Sequence, residues 1–399
     1  MTKTSLLFTL LFSLTTYSYS QIGLGDTMVN SADRLILSDS RITLGGYGEI
    51  DFNNPLRTSN GDKRNGSFDV HRMVFLTGYK FNDRLSFVTE LEIEHIKEVY
   101  IEQAFIDYRL NDYMHFRAGL MLIPMGIVNE YHEPVTFNGV ERPNLDKYII
   151  PTTWREIGAG FSGTIPEVGL RYQAYIVNGL SSYDNEAALS GKNGLRSGRQ
   201  KGAQTTFSHP NGTFRLEYFG LNNLKIGFSG YFGKTQSTLY DNVGEIENYN
   251  VASADSSVVG MSMFVADARY KKNGFEARAQ YVFGNIANST QYNNMFGTDV
   301  ASAIQGYYVE AGYDLLRVFP KKFEKRLVAF FRYENYNTHH KVASELTKND
   351  SYNRTDFTTG LTFHLDKGVA LKADFQQFRN AKLGSSINNQ VNFGVGVWF

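Results

Sequence analysis

Along most of this chain apolar and polar residues alternate one by one. Between residues 275 and 283, Phe275, Ala277, Ala279, Tyr281 and Phe283 share one parity, and Glu276, Arg278 and Gln280 share the other. Leu371, Ala373 and Phe375 likewise oppose Lys372, Asp374 and Gln376, and the final stretch sets Val391, Phe393, Val395, Val397 and Phe399 on one side. A period of two places those sets on opposite faces of a β-strand. The polar face is charged, strand after strand. Strand and turn signals predict about sixteen strands, at 41–53, 67–81, 84–95, 98–110, 112–120, 155–164, 169–179, 203–219, 224–235, 258–271, 275–286, 302–314, 326–337, 355–365, 368–380 and 389–399.

The connections alternate as well. Asn82-Asp83, Asn111-Asp112, Pro166-Glu167-Val168, Asn222-Asn223, Lys272-Asn273-Gly274 and Asp366-Lys367 are short and carry turn residues, with a longer link at 315–325. The other set is mostly long, at 54–66, 121–154, 180–202, 236–257, 287–301 and 338–354, with shorter members at 96–97 and 381–388. Short turns at one end and long loops at the other predict an all-β fold, a transmembrane antiparallel β-barrel. An even strand number puts both barrel ends on the short-turn side. The apolar row that ends at Phe399 then meets lipid, and the last strand pairs with the first, because an open edge cannot lie in hydrocarbon.

Composition agrees with strands and turns: 14% aromatic residues, among them 25 Tyr and 30 Phe, with 37 Gly and only 8 Pro. Forty basic and forty acidic residues balance, so net charge points to neither nucleic acid nor an acidic partner. The absence of Cys excludes thiol catalysis, disulfides and a lipoprotein anchor. Residues 1–20 read as a secretory signal peptide, with Lys3, an apolar core from Leu6 to Leu14 and small residues Ser18 and Ser20 before the expected cut at Gln21. Beyond it no apolar run is long enough for a membrane-spanning helix. The expected organisation is a short periplasmic segment at 21–40, too short to plug a barrel, then the outer-membrane barrel at 41–399.

Assigning the charged faces to the lumen gives basic candidates Arg109, Arg117, Arg155, Arg171, Arg215, Lys225, Arg269, Arg278, Arg332 and Lys372. The acidic set is Glu90, Glu92, Glu94, Asp107, Glu217, Asp267, Glu276, Glu334 and Asp374, with Glu49, Asp51 and Glu156 beside them. Most bases have an acid two residues away, as in Asp267/Arg269, Glu276/Arg278, Arg332/Glu334, Lys372/Asp374, Arg215/Glu217 and Asp107/Arg109. Such pairs neutralise each other, and charges facing water in a wide pore are partly screened. For any one of these residues a wall salt bridge is a better reading than solute binding, and only the set carries functional weight.

Residues 116–163, FRAGLMLIPMGIVNEYHEPVTFNGVERPNLDKYIIPTTWREIGAGFSG, together with GRQKGAQ at 198–204, residues 214–236 and GYYVEAGYDLLR at 306–317, resemble the phosphate-selective porins of the O and P type, in the form found in Bacteroidetes-type bacteria. The resemblance covers about residues 41–399. It implies a sixteen-stranded outer-membrane barrel, a homotrimer, a third loop folded inward, and a terminal Phe399 read by the barrel-insertion machinery.

The residues themselves favour an inward loop at 121–154. It holds Leu122, Ile123, Met125, Ile127, Val128, Tyr131, Phe137, Tyr148, Ile149, Ile150 and Trp154, and a long loop with that content must pack on something. A surface lid or a cover for a trimer neighbour are the alternatives. Tyr131, His132, Glu133, Arg142 and Trp154 are its candidate constriction residues. Selection for phosphate needs an uncompensated basic ladder, and Glu90, Glu92 and Glu94 form an acidic stripe instead. The expected function is therefore passive diffusion of small hydrophilic solutes, with at most a modest anion or phosphate preference from Arg109, Arg117 and Arg155. No cofactor or metal is expected. None of the eight His sits in a GxSxG or HExxH context, and His132 with Glu130 and Glu133 reads as loop packing or pore polarity. An outer-membrane enzyme, or an adhesin using the long loops, are the alternative functions.

Overall fold

The computed structural model describes residues 30–56, 65–244, 250–319 and 323–399. The expected signal peptide and residues 21–29 of the segment after it lie outside them. Sixteen antiparallel strands close into a barrel: β1 Ile42–Pro55, β2 Ser67–Lys80, β3 Leu85–Glu94, β4 Glu98–Asn111, β5 Met114–Leu122, β6 Arg155–Ile165, β7 Leu170–Val177, β8 Asn211–Leu221, β9 Leu224–Lys234, β10 Gly260–Lys272, β11 Phe275–Ala287, β12 Ala303–Asp314, β13 Arg326–Lys341, β14 Asn353–Asp366, β15 Val369–Asn380 and β16 Asn388–Trp398. Each strand pairs with its neighbours in sequence, and β16 pairs with β1 from Tyr47↔Trp398 to Pro55↔Gln390. No open edge remains in the sheet. Phe399 continues the seam: its backbone N donates to Gly46 O at 2.9 Å and its carbonyl accepts from Gly46 N at 3.0 Å. Gly46 is needed there, because a Cβ would lie 2.7 Å from the Phe399 ring.

The alternation sorts as its physics demands. Phe75, Phe161, Phe228, Phe264, Phe331 and Phe393 point outward and are exposed, while Glu90, Arg215, Asp267 and Arg332 point inward and are buried. Long connections gather at one end and short turns at the other. Two strand boundaries differ from expectation by more than two residues. β8 begins at Asn211 rather than 203, because Pro210 cannot donate to a ladder. β13 runs on to Lys341. Short strands Ser181–Asp184, Glu186–Ala187 and Gln236–Ser237 form a small sheet among the loops.

Besides irregularities near the strand ends, two bulges break the period within strands. Between β1 and β2 the register steps from Glu49↔Arg72 to Ile50↔Val70, leaving His71 extra. Between β3 and β4 it steps from Glu90↔Gln103 to Leu91↔Ile101, leaving Glu102 extra. At each, two successive polar residues face the lumen.

The segment at 21–40, expected to be too short to plug a barrel, contributes to the lumen. Its described part includes helix α1, Ser31–Leu37, whose Ala32 and Leu35 are buried. A Cβ on Gly78 of β2 would lie 3.0 Å from Leu35 Cβ, so the strand makes room for the helix. The charged wall offers that helix ion-pair partners, which hydrophobic periodicity could not reveal.

Candidate functional site: a charged lumen crossed by loop 3

The connection between β5 and β6, loop 3, folds into the barrel. Ile123, Met125, Ile127, Val128, Leu145, Ile149, Ile150 and Trp154 are each at most 2% exposed and cluster with Val265, Val282, Tyr231 and Tyr308 of the wall. Burying a side chain of that size contributes roughly 1.5–3 kcal/mol. Polar wall residues meet the loop backbone on many sides. Ile127 N donates to Gln280 Oε1 at 2.7 Å, Leu145 N to Glu334 Oε2 at 3.0 Å and Val140 N to Asp374 Oδ2 at 2.6 Å. Asn138 donates to Glu276 at 2.8 Å, and its carbonyl accepts from Arg332 Nη2 at 2.5 Å. The Trp154 ring packs tilted against Tyr231, with centroids 4.5 Å apart, and donates to Glu156 Oε1 at 2.7 Å. The buried wall charges thus satisfy a buried loop backbone.

His132 departs from the expected grouping with Glu130 and Glu133. Its Nε2 lies 2.8 Å from Tyr47 Oη and 3.4 Å from Glu102 Oε2, and its Nδ1 meets Asn129 O at 2.9 Å. Tyr47 Oη also donates to Glu90 Oε1 at 2.9 Å. Burial pushes the imidazole towards neutrality, but Glu102, with help from Glu90, outweighs it and holds the His132 pKa above 6.5. Glu130 instead accepts from Gln173 at 2.7 Å, and Glu133 accepts from Ser31. Glu102 escaped the alternation reading because it is the extra residue of a bulge.

The charged residues do face inward, yet they do not line a wide water column. Arg155, Arg215 and Arg332 are at most 2% exposed. Their partners lie mainly across strands rather than two residues along one. Arg117 pairs with Asp107 at 2.7 Å, Arg278 with Glu310 at 3.1 Å, Arg326 with Glu276 at 2.7 Å and Arg332 with Glu310 at 2.7 Å. Arg269 pairs with Glu217. Of the expected same-strand pairs, Arg215–Glu217 at 3.3 Å and Arg332–Glu334 at 3.8 Å form, and both are longer than the cross-strand bonds to the same arginines. Lys372 lies 3.8 Å over the Phe137 ring of loop 3. Arg109 and Lys225 sit near the short turns, where Arg109 is exposed. Glu92 pairs with Arg72 at 3.4 Å, and Glu94 faces the cavity described next.

Above loop 3, towards the long loops, two cavities of about 290 and 440 Å³ share Glu141, Asn144 and Lys147. The first is lined by seven cations, Arg72, Arg142, Lys147, Arg155, Arg196, Arg199 and Lys201, against five carboxylates, Glu49, Asp51, Glu94, Glu141 and Asp146. Arg196 and Arg199 hold their place by donating to Thr152 O at 2.6 and 3.0 Å. Burial, then Arg196 and Arg155 beside it, pushes Arg199 down to about 9. Arg142 is lowered by burial and by Arg72, and Arg196 by burial and by Arg142. These loop cations crowd one another. Of the three residues expected to favour anions, Arg155 belongs to this group, whereas Arg117 is taken up by carboxylates and Arg109 lies at the other end. Arg196, Arg199 and Lys201 sit in a loop without periodicity, and the only sequence signal for them was the basic GRQK run.

A closed barrel with a greasy outer wall, a charged inner wall and an inward third loop defines an outer-membrane porin. More narrowly, residues 42–319 match the family described as "Phosphate-selective porin O and P", and the chain belongs to it. It is therefore a protein of the bacterial outer membrane. An uncharacterised protein of Aquifex aeolicus (strain VF5) is 33% identical over 349 residues, covering 84% of this chain and 75% of that protein. Among solved structures, the fold is similar to OprB of Pseudomonas putida (TM-score 0.57, 9% identity, 90% of this chain and 94% of that one). It is also similar to an anion-selective porin from Comamonas acidovorans (TM-score 0.55, 12% identity, 90% and 99%). A loop-deleted OmpT of Vibrio cholerae gives a TM-score of 0.55 at 10% identity, covering 90% and 100%.

Proposed function

We propose that this porin is a passive diffusion channel for small hydrophilic solutes with a modest preference for anions. The observation that carries the preference is the first cavity, where cations outnumber carboxylates by seven to five and lower one another's pKa. Local excess charge of one sign in a low-dielectric funnel concentrates counter-ions. The pairing deeper in the lumen argues against a continuous basic ladder, so the selectivity is weak and phosphate is one permeant among several. Reversal potentials in planar bilayers under a potassium chloride gradient test this reading. A permeability ratio favouring chloride severalfold at most supports it, and a cation-selective channel rejects it. A strong phosphate block of chloride current would indicate a dedicated phosphate site instead.

The same reading includes export through a signal peptide at residues 1–20, assembly as a homotrimer, contact with outer-membrane lipid through the aromatic outer face, and recognition of Phe399 by the insertion machinery. The exposed Phe399 side chain at the seam supports the last. Co-migration as a trimer in mild detergent and loss of insertion on Phe399→Ser would test the assembly and insertion steps.

A further inference from the structure

Helix α1 enters the lumen beneath loop 3 and is fastened there by charge. Asp33 Oδ1 accepts from Arg117 Nη2 at 2.8 Å and Oδ2 accepts from Arg171 Nη2 at 2.5 Å. Arg171 Nη1 also donates to Tyr131 Oη of loop 3 at 2.8 Å. Ser31 donates through both N and Oγ to Glu133 Oε1, at 3.1 and 2.5 Å, and the Arg34 guanidinium lies 4.2 Å over the Trp398 ring. Two guanidiniums from different strands therefore converge on one carboxylate. Arg117 has a wall partner besides Asp33, namely Asp107 at 2.7 Å. Nothing on the barrel wall forms a salt bridge with Arg171 among the described residues, where its ion pair is with Asp33. Burial alone would raise the Asp33 carboxyl, but Arg171 and Arg117 outweigh it and hold it below its ordinary value. It is ionised at neutral pH.

A small oxyanion passing through the lumen presents the same chemistry as that side chain: two oxygens and a negative charge, suited to bidentate capture by arginine. We propose that Arg117, Arg171 and Tyr131 form an oxyanion site on the permeation path, that Asp33 occupies it as a tethered substitute, and that α1 is thereby an inner gate which a competing carboxylate or phosphate releases. The inference rests on the channel reading above. A tethered competitor acts at an effective concentration on the order of millimolar, so the free anion must reach that range to displace it. At lower anion concentration the helix stays docked and narrows the short-turn mouth.

Single-channel conductance in planar bilayers tests this with three proteins: the natural chain, Asp33→Asn, and a variant lacking Ser31–Leu37. Sodium acetate and inorganic phosphate serve as probes and chloride as the control. The natural channel is expected to show open probability rising at least about twofold between submillimolar and tens of millimolar acetate, phosphate or both. Whichever probe acts identifies the permeant class. Asp33→Asn and the deletion are expected to be fully open in chloride alone and indifferent to both probes. Three channels with identical conductance and no anion response would overturn the gate while leaving the porin reading intact. Silence from all three, including the deletion variant with native heat-modifiable gel mobility, would overturn both.

A second readout does not depend on current. The chain has no Cys, so a spin label on Leu37→Cys, an exposed position, reports the helix alone. The label should be immobile in chloride, mobile at tens of millimolar acetate or phosphate, and mobile in both media when combined with Asp33→Asn. A label that stays immobile at the highest concentration of both anions overturns the proposal.

Discussion

Arg215 on β8 and Asp267 on β10 form a two-bond ion pair across the intervening strand β9, at 2.7 and 3.0 Å. They meet over Gly227, where a Cβ would lie 2.4 Å from both the Arg215 Nη2 and an Asp267 carboxylate oxygen. The pair spans two ladders because the residue between them has no side chain. Both charges are buried, so separating them leaves each without its partner.

Gly227→Ala should therefore destabilise the barrel far more than one methyl group suggests. Wedging the pair apart is expected to cost about 2–4 kcal/mol, combining overpacking with a weakened buried ion pair. Denaturant unfolding in detergent, followed by the change in gel mobility on heating, gives the measurement. The control is Gly212→Ala, where an added Cβ meets nothing within 4 Å, and it should be nearly neutral.

His132 predicts a pH dependence of loop 3 anchoring. Its folded pKa is raised above 6.5. A raised histidine contributes stability that is fully present below its unfolded value and lost as pH rises through the folded one. Thermal stability should thus decline as pH climbs above 6.5, and His132→Gln should flatten that part of the profile while lowering stability on the acidic side. A wild-type profile that rises across the same range would show that the Glu102–His132 contact does not carry the loop.

The cation-rich cavity predicts selectivity. Replacing Arg196 and Arg199 together by Gln removes two of its seven cations and keeps side chains able to donate to Thr152 O. The chloride-to-potassium permeability ratio should fall roughly twofold, with a larger effect at low salt than at high. Arg109→Gln, near the short turns, should leave the ratio unchanged.

Trp154→Ala should loosen loop 3. It removes a fully buried ring packed against Tyr231 and leaves Glu156 without one of its donors. The expected cost is about 3–5 kcal/mol, accompanied by noisier single-channel currents. Quiet currents and unchanged stability would mean that the hydrogen bonds donated by the loop backbone to Gln280, Glu334 and Asp374 hold the loop without its apolar cluster.

How much of this could be read from residues alone follows from where the period of two holds. Every barrel strand was legible, because an apolar outer face such as Phe275, Ala277, Ala279, Tyr281 and Phe283 recurs along the chain. So was the inward course of loop 3, since Ile123 through Trp154 could not stay in water. The site was less legible. Arg72 and Glu102 lie at bulges, where alternation skips a beat. Arg196 and Arg199 lie in a loop, where no period exists. Asp33 belongs to a seven-residue helix whose docking is decided by guanidiniums more than eighty residues away. Pairing was misjudged for a related reason: residues two apart on one strand are sequence neighbours, but the strand next door is closer to an arginine's fork.

The bulges at His71 and Glu102 also bear on how such a barrel changes over generations. A lone insertion or deletion within a transmembrane strand normally swaps every downstream side chain between oil and water. At β2 and β4 the extra residue is absorbed locally and the phase resumes beyond it. At these two places the extra residue, His71 or Glu102, is itself a titratable group set on the lumen side. New charge on this channel's inner surface can arise by slippage as well as by substitution.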